Sequence, residues 1–306
     1  MSSRLEAAQA RAQLYDLIRF RLTASGYLEV ETPALVPMPG MEPHITAFES
    51  DYRPELGATP ARKLYLHTSP EYAMKRLLAD GFGSVFQICK VFRNGEVAAA
   101  HNPEFTMLEF YRSPGTVETL VDDLEELIRR AGAQLGCNSP GLSLEGPFER
   151  LTVREAFERH AGQAPPTEED AFFKLMLERV EPKLGRERPT FLTEYPASMA
   201  SLARLKPGDP SVSERFELYA GGAELANGFG ELNDAGEQRR RLIAEQAQRR
   251  AAGREVYPLD EHFLEAVGRM PPSAGVAVGL DRLLMVLLGV ERIADVLLFP
   301  AELEWG

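Results

Sequence analysis

Residues 85–112 leave this chain few ways to fold. The run ending at Phe92 is rich in β-formers, Asn94-Gly95 marks a turn, and a second extended run returns through Arg112. Side chains alternate across a strand, so Phe105, Met107, Glu109 and Tyr111 share one face. A ring, a carboxylate and a phenol on one face are poor core material and good binding-site material. Arg93 stands where the hairpin opens, and its planar fork suits a phosphate better than a point charge does.

At 306 residues the chain can bury a substantial core, as one large domain or two ordinary ones. No apolar run approaches the ~20 residues of a membrane span, and the first residues lack the profile of a secretory signal. Cys89 and Cys137 are the only cysteines, so a disulfide framework and a cysteine-based zinc site are excluded. A reducing, cytoplasmic setting is the expectation. The net charge of −12 gives no basic footprint for nucleic acid, so tRNA is not the expected partner. Clustered carboxylates could instead hold Mg²⁺ beside a nucleotide.

Residues 2–24 read as an amphipathic helix with Leu14, Leu17, Ile18 and Leu22 on its apolar stripe. Gly26 ends it, and residues 27–30 extend as a strand until Pro33. Residues 37–61, with five prolines and two glycines, read as a long loop, and residues 63–66 as a short strand. Thr68-Ser69-Pro70-Glu71 opens a helix, with Ser69 as cap and Pro70 at the first helical position. Residues 117–135 are helical, 136–150 a polar connector, 167–184 a further helix and 189–195 a strand. Thr152-Val-Arg-Glu155 matches a capping box. Residues 235–252 form an arginine-rich helix read as a solvated face, although Arg239, Arg240, Arg241, Arg249 and Arg250 could meet an acidic partner.

Two extended runs, 214–219 and 224–229, flank Gly221-Gly222 and predict a two-residue hairpin. In that register Glu217 and Glu224 lie diagonally on one face, close enough to share a cation. Asn227, Phe229 and Glu231 have the opposite parity and join that face only if the strand bulges, with Gly228 the expected place. Near the end, Gly275-Val-Ala-Val-Gly279-Leu-Asp281-Arg282 reads as a buried strand running into a helix capped by Asp281 and closed by Gly289. Arg282 thus stands at a helix N-terminus, where anions are favoured.

Three of these strings occur in a telling order: Gly26-Tyr-Leu-Glu-Val-Glu-Thr-Pro33, then Phe92-Arg93 through His101-Asn-Pro-Glu-Phe105, then Gly275 through Arg282. Together they resemble motifs 1, 2 and 3 of the class II aminoacyl-tRNA synthetases. Thr68-Ser-Pro-Glu71 and Glu224-Leu-Ala-Asn227-Gly-Phe-Gly-Glu231 resemble strings of the lysyl-tRNA synthetase catalytic domain. The resemblance runs from about residue 10 to 299. It implies one α/β (α+β) domain over residues 1–306, a mainly antiparallel sheet of about six strands flanked by helices. An anticodon-binding barrel is not expected ahead of it, which makes the stand-alone elongation factor P–(R)-β-lysine ligases the nearer likeness. A truncated lysyl-tRNA synthetase homologue and a silent amino-acid-binding module are the alternatives.

By matching position, the resemblance implies that Arg93 holds the α-phosphate of ATP and Arg282 the distal phosphates. Phe105 stacks on adenine, with Asn94, Gly95, Glu96, His101, Asn102, Glu109, Leu225 and Gly279 in the nucleotide-contacting set. Glu217 and Glu224 hold Mg²⁺. Ser69, Pro70, Glu71, Tyr111, Asn227, Phe229, Glu231 and Ala277 line the amino-acid pocket, with Glu231 the partner of the distal ammonium. The implied partners are elongation factor P, (R)-β-lysine or lysine, and a second copy of the chain through residues 2–24 and 27–33. Gly95 stands where motif 2 usually carries a glutamate, and Glu96 follows it. Ala277 replaces a glycine usual in lysyl-tRNA synthetases, as it does in the β-lysine ligases.

Overall fold

The computed structural model describes residues 4–54 and 61–305, so residues 2–3 of the expected helix and 55–60 of the expected loop lie outside it. In chain order the first half runs α1 (Arg4–Ala24), β1 (Leu28–Glu29), β2 (Leu35–Val36), β3 (Phe48–Tyr52), β4 (Arg62–Leu66), α2 (Glu71–Ala79), β5 (Val85–Phe92), β6 (Glu104–Arg112) and α3 (Val117–Leu135). The second half runs β7 (Glu149–Thr152), α4 (Val153–Ala161), α5 (Glu169–Leu175), β8 (Thr190–Pro196), β9 (Leu205–Lys206), β10 (Asp209–Ala220), β11 (Ala223–Gly230), α6 (Ala235–Ala251), α7 (Glu261–Val267), β12 (Ala274–Gly279), α8 (Leu280–Leu288) and α9 (Ala301–Glu304).

Nine strands form one mixed sheet in the order β1-β5-β6-β12-β11-β10-β8-β7, with β9 paired to β10. The β1–β5 and β7–β8 pairs are parallel and the others antiparallel. The sheet is therefore wider than the six strands expected, because short outer strands such as β7 and β9 carry too few residues to show a period of two. Its two faces differ in kind. On one, Leu108, Phe110, Val276, Val278, Phe216 and Leu218 pack against Leu14 and Ile18 of α1, Leu120 and Leu124 of α3, and Leu283 and Leu284 of α8. The other face is the floor of a cleft.

Several local expectations are corrected. Residues 48–52 are not loop: they pair with β4 and, with β2, make a three-stranded sheet. Prolines and glycines dominate the composition around them, and β3 is exposed or half-buried throughout, so no apolar alternation betrays it. The connector 136–150 buries Leu142, Leu144 and Phe148 and ends inside β7. The helix expected over 167–184 is α5 followed by a π turn over Met176–Val180 and a 3-10 turn. The first helical residue of α2 is Glu71, one later than expected; Ser69 Oγ still accepts from the Glu71 amide at 2.9 Å. Asp281 does not cap α8: its buried carboxylate accepts from the Thr106 amide at 2.6 Å and pairs with Arg11, tying α1, β6 and α8 together.

The largest departure is α6. Arg249 is fully buried; its guanidinium donates to the carbonyls of Glu255, Glu42 and Ile45 at 2.6–2.7 Å and lies 4.3 Å from the Tyr257 ring centre. Arg241 donates to the carbonyls of Ser201 and Ala203. Arginine reads as a solvated residue on a helical wheel, yet here it satisfies loop carbonyls that a packed interior would otherwise strand. Arg249→Met is expected to cost at least about 1–3 kcal/mol of unfolding free energy in a denaturant titration, because buried acceptors lose their donor.

Candidate active site

The cleft floor follows from strand register. Glu109 of β6 lies opposite Ala277 of β12, and Ala277 opposite Asn227 of β11. Asn227 in turn faces Glu217 of β10. Two residues along, Tyr111, Gly275, Phe229 and Arg215 make a second row. Phe105, Met107, Glu109 and Tyr111 do share one face, and all four line a cavity of about 860 Å³, within the range of small-ligand sites.

The parity of Asn227, Phe229 and Glu231 is resolved by a bulge, but not at Gly228. Tyr219 pairs with Glu224 and Leu218 with Ala226, so Leu225 is the extra residue. The turn sets that place: Gly221 and Gly222 both have positive φ, 62° and 80°, which closes a tight hairpin and carries Glu224 onto the cleft face. Gly228 is small for another reason, since a Cβ there would strike the Phe216 ring on the core side. Gly275 is held small by the cleft: a Cβ would collide with the Tyr111 ring and Glu231 Oε1.

One end of the cleft is built for an anion. Arg93 lies 5.2 Å from the Phe105 ring centre, and its buried Nε has no hydrogen-bond partner among the described residues. Arg282 Nη1 donates to the Glu224 carbonyl at 3.0 Å and Nη2 meets His101 Nε2 at 2.6 Å. Burial and the Arg282 charge hold His101 below the ordinary imidazole range, so the ring accepts rather than repels. Glu96 lines the cleft 4.0 Å from Arg93. Leu225 and Gly279 line it too; Asn94, Gly95 and Pro70 are not on its wall. Asn102 reaches the wall but spends its amide on structure, donating to the Glu104 carbonyl and accepting from the Ala301 amide.

Between the ends, Glu217 is held by the Tyr195 hydroxyl at 2.5 Å, the Tyr219 hydroxyl at 2.6 Å and Arg215 Nη2 at 2.7 Å. Burial and this neighbouring carboxylate push Glu224 up to about 7. A divalent cation would relieve that opposition. Among the described residues no group of three or more His, Cys, Asp or Glu could hold a metal ion. Two carboxylates completed by phosphate oxygens and water are nonetheless the ordinary Mg²⁺ arrangement, and the pair fits it.

The far end is acidic. Ser69 Oγ donates to Glu109 Oε1 at 2.5 Å and the Tyr111 hydroxyl to Oε2 at 2.9 Å. Burial, then the nearby Glu71, push Glu109 up to about 8. Glu109, expected beside the nucleotide, thus lies with Ser69, Glu71 and Tyr111. Glu231 is not waiting alone for a ligand: Lys75 Nζ lies 2.6 Å from Glu231 Oε2 and 2.6 Å from Glu71 Oε1. Sequence reading missed Lys75, although the Glu71-to-Lys75 spacing of four on a helix was a usable signal. It also missed Arg215, two residues before Glu217 and so on the same face, and Glu42 and Glu245, which line the cleft.

A family model described as tRNA synthetases class II (D, K and N) matches residues 2–303. A curated relative from Salmonella arizonae, named elongation factor P--(R)-beta-lysine ligase, is 41% identical over 317 residues, covering 95% of this chain and 94% of its own. Proteins of the same name from Erwinia tasmaniensis and Edwardsiella ictaluri are each 39% identical with the same coverage.

Proposed function

Since the chain belongs to the class II tRNA synthetase family, we propose that it is an ATP-dependent ligase that adenylates (R)-β-lysine and transfers it to a lysine side chain of elongation factor P. The observation that carries this reading is the division of one cleft: two arginines and a carboxylate pair at one end, and Ser69, Glu71, Glu109, Tyr111 and Glu231 at the other. A diamino acid placed along it has its ammonium groups at the acidic end and its carboxylate toward Arg93. A carboxylate oxygen attacks the α-phosphorus, and the bond to pyrophosphate breaks. Arg93 and Arg282 are fixed counter-charges for the negative charge that gathers on the phosphoryl oxygens. Glu217 and Glu224 would hold Mg²⁺, which supplies further positive charge beside the phosphates. The acceptor amine then attacks the adenylate carbonyl, loses a proton, and AMP departs.

The chain is further proposed to act in the cytoplasm, as one domain, and as a two-fold dimer through α1 and β1. The described residues contain no helix long and apolar enough to cross a membrane. Phe20 and Leu28 are more than half exposed in a single copy, which supports a covered face there; a solution mass of one chain at micromolar concentration would refute it. The ligase reading is tested by intact mass of elongation factor P after incubation with the protein, ATP and (R)-β-lysine. One added β-lysyl group is expected, and none if tRNA is the acceptor.

Ala277 bears on the choice of isomer. It lies between Glu109 and Asn227 on the cleft floor, where its methyl removes room beside the substrate's near end. A steric difference of this size is worth about 1–3 kcal/mol, or roughly 10- to 200-fold. Pyrophosphate exchange is expected to favour (R)-β-lysine over α-lysine, and Ala277→Gly to narrow or reverse that ratio. An unchanged ratio would remove Ala277 from the account of selectivity.

A further inference from the structure

A cationic side chain buried behind the wall of a pocket proposed for cationic amines needs a reason. Lys75 is 1% exposed, and its Nζ sits 2.6 Å from both Glu71 and Glu231. The Phe229 ring centre is 6.0 Å away. Neither Glu231 oxygen has a hydrogen-bond partner among the described residues: Oε2 is held by Lys75 as an ion pair alone, and Oε1 is unpartnered. It lies over Gly275 and beside Tyr111, where no side chain at 275 could fit. We propose that Lys75 is a positioning residue, the built-in counter-charge that pins Glu71 and Glu231 so that Glu231 presents one oxygen to a substrate ammonium.

This rests on the ligase reading above. The charged and titratable groups around Lys75 are Glu71 on its own helix, Glu109 and Tyr111 on β6, and Glu231 after β11; Arg204 acts on Glu231 from the far side. Glu42 and Glu245 lie on Glu71's side of the cleft, where burial disfavours charge on both and pushes Glu245 up to about 8. Carboxylates thus outnumber cations, and α7 contributes the apolar Phe263 and Leu264 nearby. Burial pushes Glu231 up to about 7 even with Lys75 pulling it down. Only the ionised carboxylate pairs with an ammonium. Removing Lys75 raises Glu231 further, so it is protonated at neutral pH and regains its charge only in more alkaline solution. The substrate ammonium itself persists, with a reference value near ~10.4.

The test is the pH dependence of KM for the diamino acid in ATP–pyrophosphate exchange, from pH 6 to 9.5, with wild type, Lys75→Met and Lys75→Arg. In the wild type KM is expected to fall as pH rises through about 7. In Lys75→Met that fall is expected to move at least about one unit to alkaline pH, raising KM at pH 7 at least about fivefold. KM for ATP should hold, and KM for the diamino acid should recover toward wild type by pH 9.5. Lys75→Arg keeps the charge and is expected to keep the wild-type limb. An unmoved limb in Lys75→Met overturns the proposal alone; no exchange by wild type at any pH overturns the ligase reading and the proposal with it. Nitrogen-15 resonances give a second measurement on the unaltered protein. Lys75 Nζ should remain an ammonium to pH 10 and shift on diamino-acid binding, and a neutral amine at pH 9 would refute its role.

Discussion

Arg93→Ala is expected to lower ATP–pyrophosphate exchange by about 10³-fold, roughly 4 kcal/mol of transition-state stabilisation, while leaving the fold's stability nearly untouched. The asymmetry follows from what Arg93 touches. Its Nε is buried without a hydrogen-bond partner among the described residues, its ion pair with Glu96 is as long as 4.0 Å, and its guanidinium lies over the Phe105 ring. A guanidinium so weakly engaged by its own protein contributes little to folding and is placed for a ligand. Arg93→Lys should recover only part of the loss, because an ammonium cannot grip two phosphoryl oxygens in one plane. Exchange reduced by less than about threefold in the alanine variant would mean that the phosphate is held elsewhere.

The second large effect is expected at Glu224. Glu224→Gln keeps shape and removes charge, and should cut exchange by at least about 10²-fold while shifting its Mg²⁺ requirement to higher concentration. Stability measured without metal should stay level or rise, since burial and Glu217 both work against a charge at this position. Loss of activity together with unchanged or greater stability is the signature of a group kept for its ligand. Near-normal exchange would reduce the pair to charges on a sheet. Glu217 is the less informative partner to change, because Tyr195, Tyr219 and Arg215 all lean on it.

Much of this site was legible because it lies on long strands. The bounds of Val85–Phe92 follow from its β-formers and the turn after it, the shared face of Phe105, Glu109 and Tyr111 from alternation, and the α3 stripe of Leu120, Leu124, Leu127 and Ile128 from helical spacing. The capping box at Thr152 and Glu155 is present as read. What escaped has a common cause: burial of charge. Lys75 and Arg249 sit in helices where a wheel assigns cations to solvent, and only tertiary partners, Glu231 for one and the carbonyls of residues 42 and 45 for the other, bring them inside. Position 225 was missed because an extra residue leaves no mark in composition; it shows only when both strands are counted from the turn.

That extra residue gives β11 something like a reading frame. Upstream of Leu225 the strand is in one phase and downstream in the other, and the turn at Gly221-Gly222 is the origin from which both are counted. Inserting a single residue between Leu225 and Ala226 would exchange the two sides beyond it, whereas removing Leu225 would only erase the bulge. Asn227 and Phe229 would turn toward the Phe216 layer, and Ala226 and Gly228 toward the ligand. A library that treats 223–230 as plain alternation would therefore randomise the interior while intending to vary the binding wall. Lengthening the turn itself leaves the downstream phase intact, so the hairpin tip is where this sheet can accept new sequence.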